Sequence, residues 1–208
     1  MSEFKQKILV GYSGHSYVVL ETAKLMGIDI KSYMDINPNE INPFKLKYLG
    51  SEKENNLSYL SKKYQFILAI GDNKIRVSVA DKLLSNSIEF INIIHPNSTI
   101  SNSSFFGSGV FVSSNVIVNA FSQIDDFVIL NTSCIIEHEC LISRGVNVCP
   151  GAVICGNVKI GENSFIGANS VVKEGVTIGK NVIIGAGSVI IDNVPDNCTI
   201  VGNPGKII

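Results

Sequence analysis

The chain has 208 residues, 45% of them apolar, and a formal net charge of −1, which is apolar material enough for one large core or two small ones. Its lysines are scattered, leaving no basic face for a nucleic-acid backbone or an anionic membrane. The start, MSEFKQKILVGYSG, has no apolar leader core with a cleavage site, and no run reaches the roughly 18 apolar residues of a membrane span, so a cytoplasmic protein is expected.

Residues 1–95 alternate strand and helix signals. KILVGYSG reads as a buried strand running into a glycine turn, and SYVVLETAKLMG as an amphipathic helix stopped by Gly27. IDIKSYMDIN is a second strand ending at Asp35. A polar linker with Pro38, Pro43 and the run GSEKENN leads to a helical segment. The strand and glycine turn YQFILAIGDN, the helix KIRVSVADKLLS and a last strand EFINIIHP complete this part. The alternation predicts a small parallel, Rossmann-like sheet with ligands at the C-terminal ends of its strands. The turn Gly11-Tyr12-Ser13-Gly14-His15-Ser16 departs from the GxGxxG spacing of dinucleotide sites, which argues against NAD. Backbone N–H groups at the next helix start still suit a phosphate, and Asp35 can accept from a base or ribose.

Residues 96–208 follow a six-residue period. Steps of six from Ile100 to Ile190 land only on Ile, Val, Leu or Phe, and the residue four places after each is small or β-branched. Glycine, asparagine and acidic residues gather between them, as in Ile160-Gly161-Glu162-Asn163, where tight turns need positive φ or side-chain bonds to the backbone. No helix produces that period. A parallel β-helix does: three hexads close one triangular coil, the large residue fills the prism, and the small one lies where the wall bends. Stability then comes from stacking coil on coil. Cys134 and Cys140 fall on the small inward positions and, with Cys149 and Cys155, lack CxxC spacing; packed, reduced thiols are expected in place of disulfides or a zinc cage. The run Glu137-His138-Glu139 follows the inward Ile136, so it lies at an outer corner, out of the core.

Together, GYSGHSYVV, AIGDNKIR, ILNTSCIIEHEC, CGNVKIGENSFIGANS and the terminal VGNPGK resemble bacterial nucleotide-sugar N-acetyltransferases of the hexapeptide-repeat family, above all those acting on UDP-4-amino sugars. Sialic acid O-acetyltransferases are related. The resemblance implies a left-handed β-helix, acetyl-CoA as cosubstrate without a metal, a UDP-linked amino-dideoxy sugar as acceptor, and a homotrimer with active sites between subunits. It implies His138 as general base, with Glu139 orienting the ring and Glu137 as the less favoured partner. Imidazole, with an ordinary pKa of about 6.5, suits taking a proton from an attacking amine at neutral pH.

The same resemblance puts the developing oxyanion at the Gly156 backbone N–H and Asn131 at the amine end of the sugar. Pantetheine would pass Gly167, Ala168, Gly185 and Ala186, with adenine near Pro204 and Lys206 on a phosphate. Ser13, Gly14 and His15 would hold the diphosphate or uridine, Asp35 would lie near the uracil, and Gly71, Asp72 and Asn73 would close the pocket. Many relatives carry a second histidine nine residues after the base, at the acetyl donor. Here that residue is Asn147, which can donate a hydrogen bond and cannot take up a proton. An O-acetyltransferase acting on sialic acid needs the same base, whereas a hexapeptide protein that binds without catalysing would be indifferent to His138. A zinc hydratase on this fold needs three converging histidines, and the repeat holds only His138.

Overall fold

The structure, a computed structural model, describes residues 5–53 and 55–208. The run Ile8-Leu9-Val10 has no polar face to give to water, so it forms the middle of a sheet covered on both sides. Strands β1 (Gln6–Val10), β2 (Ile30–Met34), β3 (Lys47–Tyr48) and β4 (Tyr64–Leu68) pair in parallel in the order β3-β2-β1-β4. The short β3, inside the expected linker, extends that sheet. Helix α1 (Gly14–Leu25) gives out just before Gly27, which takes a φ of +73°. Helices α2 (Leu57–Lys63) and α3 (Asn73–Leu84) begin where the Asn56 and Asp72 side chains accept from the Tyr59 and Ile75 N–H groups. Connections leave β1 towards opposite edges of the sheet, opening a crevice at the strand C-termini between β1 and β4.

EFINIIHP divides between two sheets. Phe90 bridges Phe66 beside β4, whereas Ile93-Ile94 pair with Phe111-Val112 and begin the β-helix. Ile94 stands six residues before Ile100, so the hexad period runs one unit further back than the sequence reading placed it.

From this point to Ile190 the chain winds through three parallel sheets of two-residue strands, each strand pairing with the one a coil later, as Ile117 with Ile135 and Ile135 with Val153. The sheets are the walls of the left-handed prism. Outward residues on the first wall include Phe111, Ile129 and Asn147; on the second, Ile117, Ile135, Val153, Val171 and Val189; on the third, Gln123, Lys159 and Thr177. Their inward neighbours, such as Leu130, Ile136, Ile154 and Val172, have no exposed surface and form one continuous core with the small residues at the bends. Each large inward side chain contributes about 1.5–3 kcal/mol through burial. All five cysteines are free, and burial pushes the Cys134 thiol up to about 12 and the Cys140 thiol up to about 11, so both stay protonated.

Corners turn by one device. Every sixth residue from Gly109 to Gly187 has a positive φ; five of these are glycine and five asparagine, the residues that tolerate the left-handed region best. The remainder are Phe121, Phe127, Ser133 and Glu139.

The front domain rests on the first wall and its edge with the third. Phe111 and Ile129 pack with Leu9, Tyr12 and Ile67, and Phe127 packs with Phe66 and Phe90. Ile154→Ala is expected to lower stability by roughly 2–5 kcal/mol in chemical denaturation, and a loss well below 1 kcal/mol would contradict a filled prism.

Candidate active site

A cleft of about 700 Å³ opens where the sheet connections diverge, lined at the strand ends by Ser13, Asp35, Gly71 and Asp72. Glu52, Lys53 and Lys74 complete its charged rim. Gly11, at φ +90°, lets the turn after β1 press against the turn after β4: a Cβ there would meet Ile70 Cγ1 at 2.7 Å. Asp35, just after β2, ties its own turn to the turn after β1, accepting from Tyr12 N at 2.8 Å and Ile36 N at 2.7 Å. Asp72 caps α3 through the Ile75 N–H, at 2.8 Å. Gly14 opens α1 beside Ser13 with free space where a Cβ would be.

Two residues expected in this pocket face elsewhere. His15 lies on the prism side of α1, its ring edge-on to Phe111 at 5.2 Å between centroids. Its Nε2 is buried and unpaired, and burial with the nearby Arg76 cation holds its pKa down at about 4. Asn73 is buried, donating to the Asn163 and Ser164 carbonyls at 3.1 and 3.0 Å. Both serve docking because the first turns of α1 and α3 meet the prism. Asn147, expected at the acetyl donor, is likewise buried on the first wall, with Nδ2 3.5 Å from the Gly71 carbonyl. Its outward strand position carries it under the front domain.

His138 lies on the edge between the second and third walls, with its side chain 52% exposed. Its Nδ1 is 3.1 Å from Glu139 Oε2. A carboxylate only accepts, so Nδ1 carries a proton, and in the neutral ring Nε2 presents the lone pair. Glu137 turns the other way: Oε2 accepts from Asn119 Nδ2 at 2.9 Å, and its carbonyl accepts from Ser122 Oγ at 2.6 Å. Gly156, one coil on, touches the imidazole; a Cβ there would sit 2.6 Å from His138 Nε2. Among the described residues no group accepts from the Gly156 N–H. Asn131, Gly167, Ala168, Gly185, Ala186 and Pro204 follow one another up a different edge, between the first and second walls. Asn131 Oδ1 accepts from Thr132 N at 2.9 Å, and Gly167 is required by coil stacking, since a Cβ would meet the Ile184 carbonyl at 2.5 Å. Lys206 is exposed on the last strand. Among the described residues no cluster of three or more His, Cys, Asp or Glu could hold a metal, and no helix is long and apolar enough to cross a membrane.

Residues 7–83 match the PglD N-terminal domain family, and residues 139–174 and 157–192 match the bacterial transferase hexapeptide (six repeats) family. A curated relative, UDP-N-acetylbacillosamine N-acetyltransferase of Bacillus subtilis (strain 168), is 31% identical over 107 residues; the match spans about half the length of each chain. Perosamine N-acetyltransferase from Caulobacter crescentus, solved as a point mutant in complex with CoA and GDP-perosamine, superposes with a TM-score of 0.92 at 30% identity, covering 99% of this chain and 98% of that one. The acetyltransferase domain of PglB from Neisseria gonorrhoeae FA1090, in complex with acetyl coenzyme A, superposes with a TM-score of 0.90 at 32% identity, covering 98% of this chain and all of the other. The chain belongs to the hexapeptide-repeat nucleotide-sugar N-acetyltransferases.

For this family member, sequence reasoning missed Arg76. The residue is 1% exposed and, among the described residues, its guanidinium has no carboxylate partner within bonding distance; it donates to the Phe127 carbonyl at 2.8 Å, Gly71 at 2.9 Å, Ile70 at 3.1 Å and Gly145 at 2.8 Å. One side chain thus fixes the cleft loop to the prism. Burial lowers its pKa to about 10, still charged at neutral pH. AIGDNKIR held a weak signal, an arginine four residues after a helix cap, but nothing local says that α3 buries it. Lys53 and Lys74 also escaped the sequence reading, and their place at the cleft suits a diphosphate. Arg76→Ala strands several carbonyls, so a loss of roughly 3 kcal/mol or more is expected in denaturation, with faster amide exchange confined to α3 and the cleft loop; wild-type exchange there would contradict the clamp.

Proposed function

We propose that the chain transfers acetyl from acetyl-CoA to the amine of a UDP-linked 4-amino-dideoxy sugar, with His138 as general base. The observation carrying this reading is the His138–Glu139 pair on an open edge, with Gly156 against the ring. The neutral amine attacks the thioester carbonyl, a C–N bond forms, and His138 Nε2 takes the amine proton. Glu139 holds the Nδ1–H tautomer and stabilises the imidazolium. The oxyanion accepts from the unengaged Gly156 N–H. Collapse breaks the C–S bond, and the imidazolium returns its proton to the leaving thiolate. Such a base contributes roughly 10²–10⁴ in rate.

The cleft and the base lie on opposite sides of one chain. The front domain sits on the first wall, and the His138 edge is the one the first wall does not touch. A sugar held in a chain's own cleft therefore cannot reach its own histidine, which supports a site completed by a second copy. The second wall supports the contact: Ile117, Ile135, Val153, Val171 and Val189 make an unbroken, partly exposed apolar stripe. That wall is bounded by the His138 edge on one side and the Asn131–Gly167–Gly185 edge on the other. A rotated copy seated on it juxtaposes these edges, and three copies close the ring. Coenzyme A would lie in the groove so formed, past Gly167, Ala168, Gly185 and Ala186 to Pro204 and Lys206. The diphosphate would take the helix start at Ser13 and Gly14, with Lys53 and Lys74 beside it and Asp35 towards the base. Acetyl-CoA and nucleotide sugars are cytoplasmic metabolites, and the reaction is assigned there.

The test is thiol release from acetyl-CoA with a panel of UDP- and GDP-linked amino sugars. A UDP-4-amino sugar should be the best acceptor, and His138→Asn should lower kcat roughly 10²–10⁴-fold with little change in KM. Turnover of hydroxyl acceptors alone, or a His138→Asn variant as fast as wild type, would refute it. Val153→Lys should yield monomers without activity in light scattering and assay; active monomers would rule out the shared site.

A further inference from the structure

We propose that Glu52 is a specificity-determining residue whose carboxylate accepts from the ribose 2′- and 3′-hydroxyls of the nucleotide, selecting ribonucleotide-linked sugars over 2′-deoxyribonucleotide-linked ones. This rests on the nucleotide-sugar reading of the cleft and names a feature of that substrate.

Among the described residues three acids line the cleft: Asp35, Glu52 and Asp72. Two of them already serve the backbone. Asp35 accepts from the Tyr12 and Ile36 N–H groups, and Asp72 accepts from the Ile75 N–H. Glu52 is the most enclosed of the three, with 9% of its side chain exposed, yet among the described residues no group donates it a hydrogen bond. Its one charged neighbour there is Lys82 Nζ, at 4.0 Å. A carboxylate so enclosed is costly without donors, so it fits a ligand that brings them.

The chain places Glu52 at the nucleoside end of the cleft. Gly50, at φ +87°, turns the chain after β3, and its carbonyl accepts from Asp35 N at 3.3 Å, seating the 50–52 stretch over the end of β2. Across from it, α3 lines the cleft with Lys74, Ile75, Ser78 and Val79, and Lys82 follows in the next turn. About 12 Å of helix separates Lys74 from Lys82. With the diphosphate at Ser13, Gly14 and Lys74, the carboxylate therefore stands away from the phosphates, which it would repel. Val10, Met34, Ala69 and Val79 give the same cleft an apolar surface for the carbon faces of base and ribose.

A carboxylate can only accept. Uracil offers one N–H set between two carbonyl oxygens, and a carboxylate facing that edge would meet repulsion on both sides. Ribose offers two adjacent O–H donors, one for each carboxylate oxygen. Bonds of this kind to an ionised acceptor are among the strong ones, and an analogue lacking one hydroxyl leaves an enclosed oxygen unpaired.

Calorimetric titration of the wild-type protein with UDP and with 2′-deoxy-UDP reads the preference without any variant. UDP should bind about 10–100-fold tighter. In Glu52→Gln, equal in size but uncharged and with one acceptor oxygen in place of two, that preference should fall by about fivefold or more, with Tm and the KM for acetyl-CoA unchanged. Equal binding of the two nucleotides by wild type, or a wild-type preference kept by the variant, would overturn the assignment. So would an equal loss of affinity for both nucleotides, which would make Glu52 a structural partner of Lys82. Repeating the pair as GDP and 2′-deoxy-GDP frees the result from the base: a ribose preference seen with guanine alone would reject uridine and keep Glu52 in its role. An intact ribose preference without thiol release towards any amine would reject acetyl transfer alone, and no binding of any of the four nucleotides would reject both.

Discussion

Register along the prism is the constraint on which everything else depends. Because each wall contributes two residues and each corner four, the position of a residue in its hexad decides whether it points into the core, onto a wall or off an edge. Ile136 goes in and His138, two residues later, goes out. A single insertion between them would bury a charged corner and expose a core residue, against several kcal/mol of burial energy. The same register sends Phe111 and Ile129 to the wall that receives the front domain. The side of the molecule that carries the base and the side that carries the cleft are both consequences of counting by six.

Energetics at the His138 edge favour function over stability. A non-glycine residue in the left-handed region costs about 1–2 kcal/mol, whereas an exposed ion pair contributes about 0–1 kcal/mol. Glu139 therefore adds no net stability where it stands, and glycine or asparagine would suit the turn better. What it gives is a fixed imidazole tautomer, with the ring seated against Gly156 in space that a Cβ there would fill. Arg76 works the opposite way: wholly buried, bonded to carbonyls of both domains, it is a stabilising clamp whose placement keeps the cleft loop at a set height on the prism.

How much of this was legible in the sequence follows from the range of each interaction. The prism was readable because its period is local, and the fourteen inward residues from Val112 to Ile190 are all buried. The edge position of His138 follows from the same arithmetic. The sequence left open whether Glu137 or Glu139 contacts the ring, since both are adjacent, and that needed side-chain directions. His15, Asn73 and Asn147 were assigned to ligands and turned out to face between domains. Their surroundings come from residues roughly 70–100 positions away in the chain, as with Asn73 and Asn163, which no local pattern encodes. Arg76 was hidden for the same reason. The split of EFINIIHP was foreseeable, because Ile94 keeps the six-residue step.

Subunit complementation tests the central claim most directly. Ser13→Asp leaves α1 intact, since the Ser13 side chain makes no capping bond and aspartate suits an N-cap, while setting a carboxylate where a diphosphate would bind, and His138→Asn removes the base; each variant alone should be inactive. Co-assembled in equal amounts, the two should recover about a quarter of wild-type activity per chain, since a live site needs a cleft from one variant and a histidine from the other. A mixture as inactive as its components would mean that cleft and base act within one chain, and the account would be wrong.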